Sequence, residues 1–319
     1  MAMNKKKNVA VASPGIQIRK KSLKTRIWEG RHYYLLLLPA LIYVIIFNYV
    51  PMYGLQIAFK NFKVTLGMSD SPWIGFRNFT DFFNGFYFKN LMINTFALSF
   101  YAILLGFPIP IIVALLINEL GGKFKKGVQT ILYAPHFIST VVVVGMMNIM
   151  FSPTTGVINT LLNHFGIESI YFMGEPQYFR HLFVWSGNWQ EMGWGAVIYL
   201  AALSSVDPGL HEAASIDGAS RIQRIIHINL PSIAPTIMIM LIMRLGRVAT
   251  IAYEKVYLLQ NNLNLTVSEV ISTYVYKMGL LSRQYSFSTA VGLMNNVVNF
   301  VILAIVNKAS DKLSGISLW

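Results

Sequence analysis

The sequence predicts an all-α, polytopic membrane protein with six transmembrane helices. Of its 319 residues, 55% are hydrophobic and 12% are charged, and the mean hydropathy is +0.52, which is too apolar for a soluble domain of this size. A helix needs about 20 apolar residues to cross a hydrocarbon core of ~30 Å, and runs of that length recur along the chain. We place the six spans at residues 33–59, 91–117, 127–151, 179–203, 233–259 and 287–306, within a transmembrane domain of residues 33–307.

The first span follows a basic segment, residues 1–32, which holds nine of the 26 Lys and Arg residues. Its small polar and basic residues predict a disordered tail, and positive charge beside a first span favours the cytoplasmic side. In this orientation the cytoplasmic segments hold 16 basic residues and the outside loops hold seven, so both termini, including residues 308–319, are expected in the cytoplasm. The net charge of +13 then indicates anchoring to anionic membrane lipid, and no nucleic-acid partner is expected.

The second and third spans are joined by a short basic turn, residues 118–126, and are therefore expected to be antiparallel neighbours. Kinks are expected in several spans because they contain proline, at Pro51, Pro108, Pro110, Pro135 and Pro235. The outside loop at residues 60–90 has nine aromatic residues, which is typical of an interfacial belt. A protein-docking surface is the alternative interpretation of this loop.

The fourth span is unusually rich in aromatic and polar residues for a lipid-facing helix. Trp185 and Trp189 share a face at i, i+4 spacing, and Gln190 and Glu191 follow directly. Carbohydrate sites stack sugar rings on aromatic faces while amides and carboxylates bind hydroxyl groups, so these four residues are candidates for a substrate path. Anchoring of the helix at the outer interface by its tryptophans is an equally good interpretation.

Residues 206–231 form a long polar interruption between the fourth and fifth spans. Asp207 can cap a first short helix that ends at Gly218. Ser220 begins a capping box for a second helix, which we expect Pro231 to end. The pattern predicts two short helices around a bend, lying along the membrane surface.

The fifth span contains four ionisable side chains, each of which costs about 2.5 kcal/mol or more at mid-bilayer. They are Arg244, Arg247, Glu254 and Lys255. Arg247 and Glu254 are expected two turns apart on one helix face. We interpret Arg244, Arg247 and Glu254 as lining the substrate path or a subunit interface; internal ion pairing, or snorkelling of Lys255, is the alternative.

The sixth span has three asparagines near its centre, at Asn295, Asn296 and Asn299. Amides at this spacing can hydrogen-bond to neighbouring helices. They can equally present hydrogen-bonding groups to a substrate, so Asn295 and Asn299 are also candidate path residues.

The polar stretch resembles the EAA loop of the permeases of binding-protein-dependent ABC importers. The signature of that family reads E-A-A, three residues, G, nine residues, I, one residue, L-P, and every fixed position is matched. The matching residues, with Asp217 beside the bend, are Glu212, Ala213, Ala214, Asp217, Gly218, Ile228, Leu230 and Pro231. Seven fixed positions across 20 residues make this a specific signal.

The chain is also similar to the LplB-like and YteP-like branch of that family, the oligosaccharide permeases. The similarity runs from about Tyr33 to the C-terminus and includes W-x-G-x-x-N-F at residues 73–79, GFPIPI at 106–111 and APHFIS at 134–139. The resemblance implies the MetI-like fold of type I importers and an oligosaccharide as cargo. A permease for a non-sugar solute is the alternative, because the coupling loop is shared among importers.

The resemblance also implies the partners. The EAA loop would be a coupling helix that docks in a groove of a separate ATPase subunit. The complex would contain a second homologous permease, two ATPase subunits and an extracellular lipid-anchored or periplasmic sugar-binding protein, in a bacterial plasma membrane. ATP and Mg²⁺ would belong to the ATPase subunits, so no cofactor and no metal are expected in this chain.

The sequence contains no motif that equips it for catalysis. The segment H-E-A-A-S at residues 211–215 lacks the second histidine of the zinc motif H-E-x-x-H, and cysteine is absent, which excludes disulfides and thiol catalysis. A secondary transporter would need mid-span coupling carboxylates or an inverted repeat, and a membrane-bound enzyme would need an acid or metal cluster at one interface. Neither stands out, so we expect a transport subunit and not an enzyme.

Overall fold

The structure is a computed structural model that describes residues 28–318. The predicted basic tail lies outside the described residues except for its last few positions. Residues up to Gly54 and residues from Leu55 onward form two compact units. The first unit contains most of one long helix, and the second contains the remaining helices.

Within residues 28–318 the regular structure is helical, apart from an isolated antiparallel bridge between Lys60 and Trp73. The first helices are α1 (Arg31–Phe59), α2 (Gly67–Asp70), α3 (Arg77–Phe83), α4 (Phe88–Asn118), α5 (Gly122–Phe137), α6 (Thr140–Met150) and α7 (Val157–His164). The remaining helices are α8 (Pro176–Leu203), α9 (Pro208–Ile216), α10 (Arg221–Leu245), α11 (Tyr253–Leu259), α12 (Leu265–Ser268), α13 (Ile271–Tyr276, continued by a π turn at Lys277–Leu281) and α14 (Tyr285–Ser314).

Four helices of the described part are long and apolar enough to cross a membrane, namely α1, α4, α10 and α14. The number rises to five if α5 and α6, which meet at 95°, are one broken span. α8 has 28 residues but is not among these helices, since its polar side chains lower its hydropathy. The all-helical membrane architecture is therefore confirmed, and the number of six spans stays a prediction.

The third predicted span, residues 127–151, is not one straight helix. α5 ends in a 3₁₀ turn that contains Pro135, and α6 starts only after Ser139, whose hydroxyl accepts the backbone N–H of Val142 at 3.4 Å. At the bend the carbonyl of Ile138 accepts a hydrogen bond of 2.7 Å from the side chain of Gln190 on α8. The side chain of Gln190 thus supplies the hydrogen bond that a backbone N–H would have donated to this carbonyl in a continuous helix.

Proline is accommodated in α1 and α10 by the same local device. A π turn at Ile45–Tyr49 stands two residues before Pro51, and a π turn at Ile225–Asn229 stands two residues before Pro231. Proline lacks an N–H and its ring clashes with a carbonyl in the preceding turn, and a wider turn relieves that clash. The expectation that Pro231 ends the second helix is therefore wrong, because α10 runs from Arg221 through Pro231 to Leu245.

The fifth predicted span, residues 233–259, is divided. α10 ends at Leu245, residues 246–252 have no regular helix, and α11 begins at Tyr253. Arg247 consequently lies beyond α10 and Glu254 lies on α11, so the prediction that they share one helix face is wrong. The division cannot be read from hydropathy, because the apolar character continues through the break.

α8 is the central helix of the second unit and packs along both halves of α4 and against α10. A cluster that includes Ile111, Ala196 and Ile233 joins α4, α8 and α10. A second cluster, which includes Leu98 and Val256, joins α4, α8 and α11. Lipid is as apolar as these side chains, so close packing rather than removal from water favours such contacts. A cavity that is lined by residues of both clusters lies between these helices.

Candidate coupling surface and cavity

The first residues of the polar stretch 206–231 fold as the sequence predicts. The carboxylate of Asp207 accepts the backbone N–H of Gly209 at 2.9 Å and caps α9, and Pro208 occupies the first helical position. An aspartate N-cap also places negative charge at the positive end of the helix dipole. α9 is thus a short helix with a fixed first turn.

α9 ends in a left-handed turn at Gly218, which has φ +79°. The N–H of Ala219 donates to the carbonyl of Ala214 at 2.8 Å, and the N–H of Gly218 donates to that of Ser215 at 3.2 Å. These are the two hydrogen bonds of a Schellman motif, which needs a residue that tolerates positive φ at this position. The glycine of the EAA signature is therefore required by the backbone geometry of the bend.

The start of α10 is capped and tied to α9. Ser220 and Gln223 form a capping box, in which the N–H of Ser220 donates to Oε1 of Gln223 at 2.8 Å. The guanidinium of Arg224 donates to the hydroxyl of Ser215 at 2.7 Å, across the bend. Because α10 is continuous up to Leu245, a force on the bend acts on one end of a membrane-length helix.

We call residues 207–231 the knuckle. It exposes apolar side chains beside an exposed carboxylate. The exposed apolar residues are Leu210, Ile216, Ile222, Ile226 and Leu230, with Ile216 at 87% exposure. Glu212, Ala213, Asp217 and Pro231 are exposed as well, and Ala214 and Ile228 are half-buried. Such a surface is typical of one that a partner covers.

Arg244 closes a kink in α4. Pro110 has no N–H, which frees the carbonyl of Gly106 in the preceding turn. Nη1 of Arg244 donates to this carbonyl at 2.8 Å, and Nη2 donates to the carbonyl of Ala102 at 3.3 Å. A Cβ at Gly106 would clash with Nη2 of Arg244, so a larger residue would displace the guanidinium from this position. The regular helix of α4 is interrupted at Phe107, and a side chain from α10 binds the carbonyl that is freed there.

Two cavities adjoin this kink and share Arg244, Ala102 and Pro110 among their walls. One has a volume of 440 Å³ and is lined by Arg247; the other has a volume of 470 Å³ and is lined by charged residues of α8 and α11. Volumes of this size are typical of small-molecule sites. The structure therefore places Arg244 at both cavities, Arg247 at the first and Glu254 at the second, although these residues do not share a helix.

Asn295 and Asn299 hold the segment that follows α10. Oδ1 of Asn299 accepts the N–H of Ala249 at 2.8 Å, and its Nδ2 donates to the hydroxyl of Thr250 at 2.8 Å. Nδ2 of Asn295 donates to the carbonyl of Ala249 at 3.1 Å. Their amides thus bind the chain itself, as one of the two sequence interpretations expects.

The candidates on α8 are divided between two faces. Trp185 and Trp189 line a separate apolar cavity of 610 Å³, with methionines of α6. Gln190 and Glu191 line the polar cavity of 470 Å³. The carboxylate of Glu191 lies 3.1 Å from Nδ1 of His136. The tryptophans and the polar pair therefore do not form a single binding surface.

Two residues that line the polar cavity, Asn188 and Lys255, were missing from the predicted site. His136, which contacts the lining residues Glu191 and Trp194, was missing as well. The ring of His136 stacks on Trp194 with centroids 4.6 Å apart. Lys255 was noted as an ionisable residue of the fifth span, with snorkelling as one alternative, but was not named as a candidate path residue; it is 6% exposed and lines the cavity. The only signal in the sequence was the presence of polar residues in apolar runs. Within residues 28–318 no group of three His, Asp or Glu side chains could hold a metal ion.

A comparison with protein families matches residues 82–314 to the binding-protein-dependent transport system inner membrane component. Among curated relatives, the protein LplB of Bacillus subtilis is 43% identical over 88% of this chain and 88% of its own length. The polygalacturonan/rhamnogalacturonan transport system permease protein YteP of the same organism is 40% identical over 92% of each chain.

Solved structures resemble the chain along nearly its whole length. A bacterial ABC transporter involved in the import of the acidic polysaccharide alginate has a chain that is 41% identical, with a TM-score of 0.85, over 92% of this chain and 99% of that one. A bacterial alginate ABC transporter in complex with an alginate pentasaccharide-bound periplasmic protein gives 39% identity and a TM-score of 0.86, over 93% and 100%.

Proposed function

The chain belongs to the family of binding-protein-dependent transport system inner membrane components, and we propose that it forms half of an oligosaccharide pathway driven by ATPase subunits through its knuckle. It is a permease component of a sugar importer, as its relatives are, and not an enzyme, because the ATPase of such a transporter is a separate subunit. The proposal concerns how this component is coupled and assembled.

The main support for this function is the well-defined bend of the knuckle at Gly218. Two capped helices meet at Gly218, a hydrogen bond from Arg224 ties them together, and their outer face exposes Ile216 and Glu212. Glu212 has no hydrogen-bond or ion-pair partner within residues 28–318. A rigid, partly apolar projection with a free carboxylate suits docking in a groove of an ATPase subunit, which would hold ATP and Mg²⁺.

The pathway is proposed to lie between this chain and a second, homologous permease. Closure of the two ATPase subunits would move both knuckles, and the two permeases would rotate against each other so that access alternates. An extracytoplasmic binding protein, lipid-anchored or periplasmic, would deliver the oligosaccharide. This arrangement needs the knuckle and both termini in the cytoplasm, in agreement with the distribution of basic residues.

The test changes the knuckle without changing the spans. Glu212→Arg and Gly218→Pro are each expected to abolish uptake of a radiolabelled oligosaccharide while the amount of chain in the membrane stays normal. Proline cannot adopt the φ of +79° found at Gly218. Gly218→Asn is expected to retain most of the uptake, because asparagine tolerates the left-handed region.

The matched control for the charge reversal is Glu168→Arg, at an exposed glutamate outside the knuckle. This control is expected to transport at the unmodified rate. Normal uptake by both Glu212→Arg and Gly218→Pro would refute the coupling role of the knuckle.

A further inference from the structure

The most unusual charge in the described residues is Lys255. It lies on α11 with a side-chain exposure of 6%, and its Nζ has no hydrogen-bond acceptor within residues 28–318. Its neighbours are the ring of Phe183, whose centroid lies 5.3 Å from Nζ, and Gly187, where an added Cβ would lie 3.3 Å from Nζ. A buried ammonium without a partner is costly. A hydrogen-bond acceptor that comes from a bound ligand would explain why Lys255 is buried here.

A second unpaired donor lines the same cavity. Nδ2 of Asn188, on α8, is buried and also has no acceptor in the described part of the chain. The oxygen of that amide points toward Gly106, where an added Cβ would lie 2.9 Å from it. Two buried donors without acceptors, on two helices that face one 470 Å³ cavity, fit a ligand that supplies acceptor atoms.

The charges around the two neighbouring cavities favour an anion. Arg244 donates to carbonyls, which are neutral, and interacts electrostatically with the carboxylate of Glu191. The side chain of Arg247 is exposed with no partner in residues 28–318. The carboxylate of Glu191 is engaged by His136, and that of Glu254 is exposed. Glu191 also interacts electrostatically with Lys255. Three cationic side chains, Lys255, Arg244 and Arg247, therefore face two carboxylates, which leaves one cation in excess.

We propose that Lys255 and Asn188 form a binding station for a carboxylate of the cargo, so that the cargo is an acidic oligosaccharide that contains uronic acid residues. The inference rests on the proposed import function and adds the cargo class and the site. An ammonium and an amide can both donate hydrogen bonds to a carboxylate, and the hydrogen bond from the ammonium is charge-assisted. A single lysine on a flexible stem holds less firmly than a bidentate arginine, which suits a station that the cargo must leave.

The test uses the purified importer, with its partner permease and ATPase subunits and without the binding protein. Binding of trigalacturonate and of its carboxyl-reduced, neutral counterpart is measured by calorimetry. The unmodified complex is expected to bind trigalacturonate about ten-fold or more tightly than the neutral sugar, the size expected for one charged hydrogen bond. Lys255→Met and Asn188→Leu are expected to reduce this ratio, and Lys255→Met to bring it close to one.

Controls separate charge from structure. Lys255→Arg keeps the charge and is expected to keep most of the preference, and Lys308→Met, at an exposed lysine of α14, is expected to leave it unchanged. Equal binding of both sugars by the unmodified complex, or equal weakening of both by Lys255→Met, overturns the inference. Competition by inorganic phosphate at lower concentration than galacturonate also overturns it, since that result assigns the site to a phosphate group.

Failure of the inference and failure of the proposed function give different results. If the complete importer with ATP takes up neutral arabinotriose but the complex shows no preference for trigalacturonate, import stands and the carboxylate station is refuted. If it takes up no oligosaccharide at all, the proposed function fails and the inference falls with it.

Discussion

Gly106 shows how one residue without a side chain determines the geometry of the cavity. Pro110 frees the carbonyl of Gly106, and the guanidinium of Arg244 reaches it because no Cβ stands in the way. The carbonyl is thereby satisfied, and the cation is held at the point where the two cavities meet. A proline that removes a backbone donor and a cation within an apolar segment, each costly in a membrane, compensate for each other.

Gly106→Ala is expected to destabilise the chain by about 1–3 kcal/mol, because the new methyl group displaces Arg244 and leaves a buried carbonyl unpaired. The measurement is the thermal unfolding of the purified complex, which we expect to shift downward by several degrees. Gly292→Ala, on α14, is the matched control, because a Cβ there meets nothing within 4 Å. An unchanged transition for Gly106→Ala would show that Arg244 does not depend on this contact.

Residues whose partners are close in sequence could be assigned from the sequence, and residues whose partners are distant could not. Asp207 and Ser220 were predicted as caps and are caps, because the groups they bind lie two or three positions away. Gln190 was predicted as a substrate-path residue, and its hydrogen bond to the carbonyl of Ile138 was not foreseen, because the two residues are 52 positions apart. Lys255 could not be placed, because its burial depends on where α10 stops.

At the level of elements, the helix ends were harder to predict than the helices. α4 and α14 lie close to their predicted spans, because long apolar runs determine them. The start of α10 was missed because a π turn lets the helix pass Pro231, and the end was missed because amides of α14 bind residues 249 and 250. Neither a π turn nor hydrogen bonds from a neighbouring helix can be recognised from the hydropathy of a sequence.

Asn299→Leu is expected to loosen the segment between α10 and α11, because the N–H of Ala249 loses its acceptor while Thr250 loses its donor. The chain has no cysteine, so a single Ala249→Cys can report on this segment through its rate of maleimide labelling. Ala249 is 1% exposed, and labelling should be slow with Asn299 present and at least several-fold faster with Asn299→Leu.

The control for this experiment is Asn296→Leu, at an exposed asparagine of the same helix. It is expected to leave the labelling rate of the cysteine unchanged. Equal labelling rates in the Asn296→Leu and Asn299→Leu backgrounds would indicate that the hydrogen bonds of Asn299 do not hold the segment between α10 and α11.

For the whole molecule, the important relation is between the knuckle and the cavity. α10 connects them, since it begins at the knuckle and ends beside Arg244, Arg247 and the segment that Asn299 holds. A displacement of the knuckle would therefore reach the cavity through one continuous helix. The family and the sugar-permease branch could be predicted from the EAA signature and the shorter motifs, because those positions are contiguous in sequence, and the comparisons confirm both.

The central claim is that energy enters this chain from another polypeptide through the knuckle. The most direct measurement is uptake of a radiolabelled oligosaccharide into sealed vesicles that contain the two permeases and the binding protein, with and without the ATPase subunits. Uptake against a concentration gradient is expected only with ATPase subunits and hydrolysable ATP, and Glu212→Arg is expected to remove it. Concentrative uptake in vesicles without any ATPase subunit would contradict the claim.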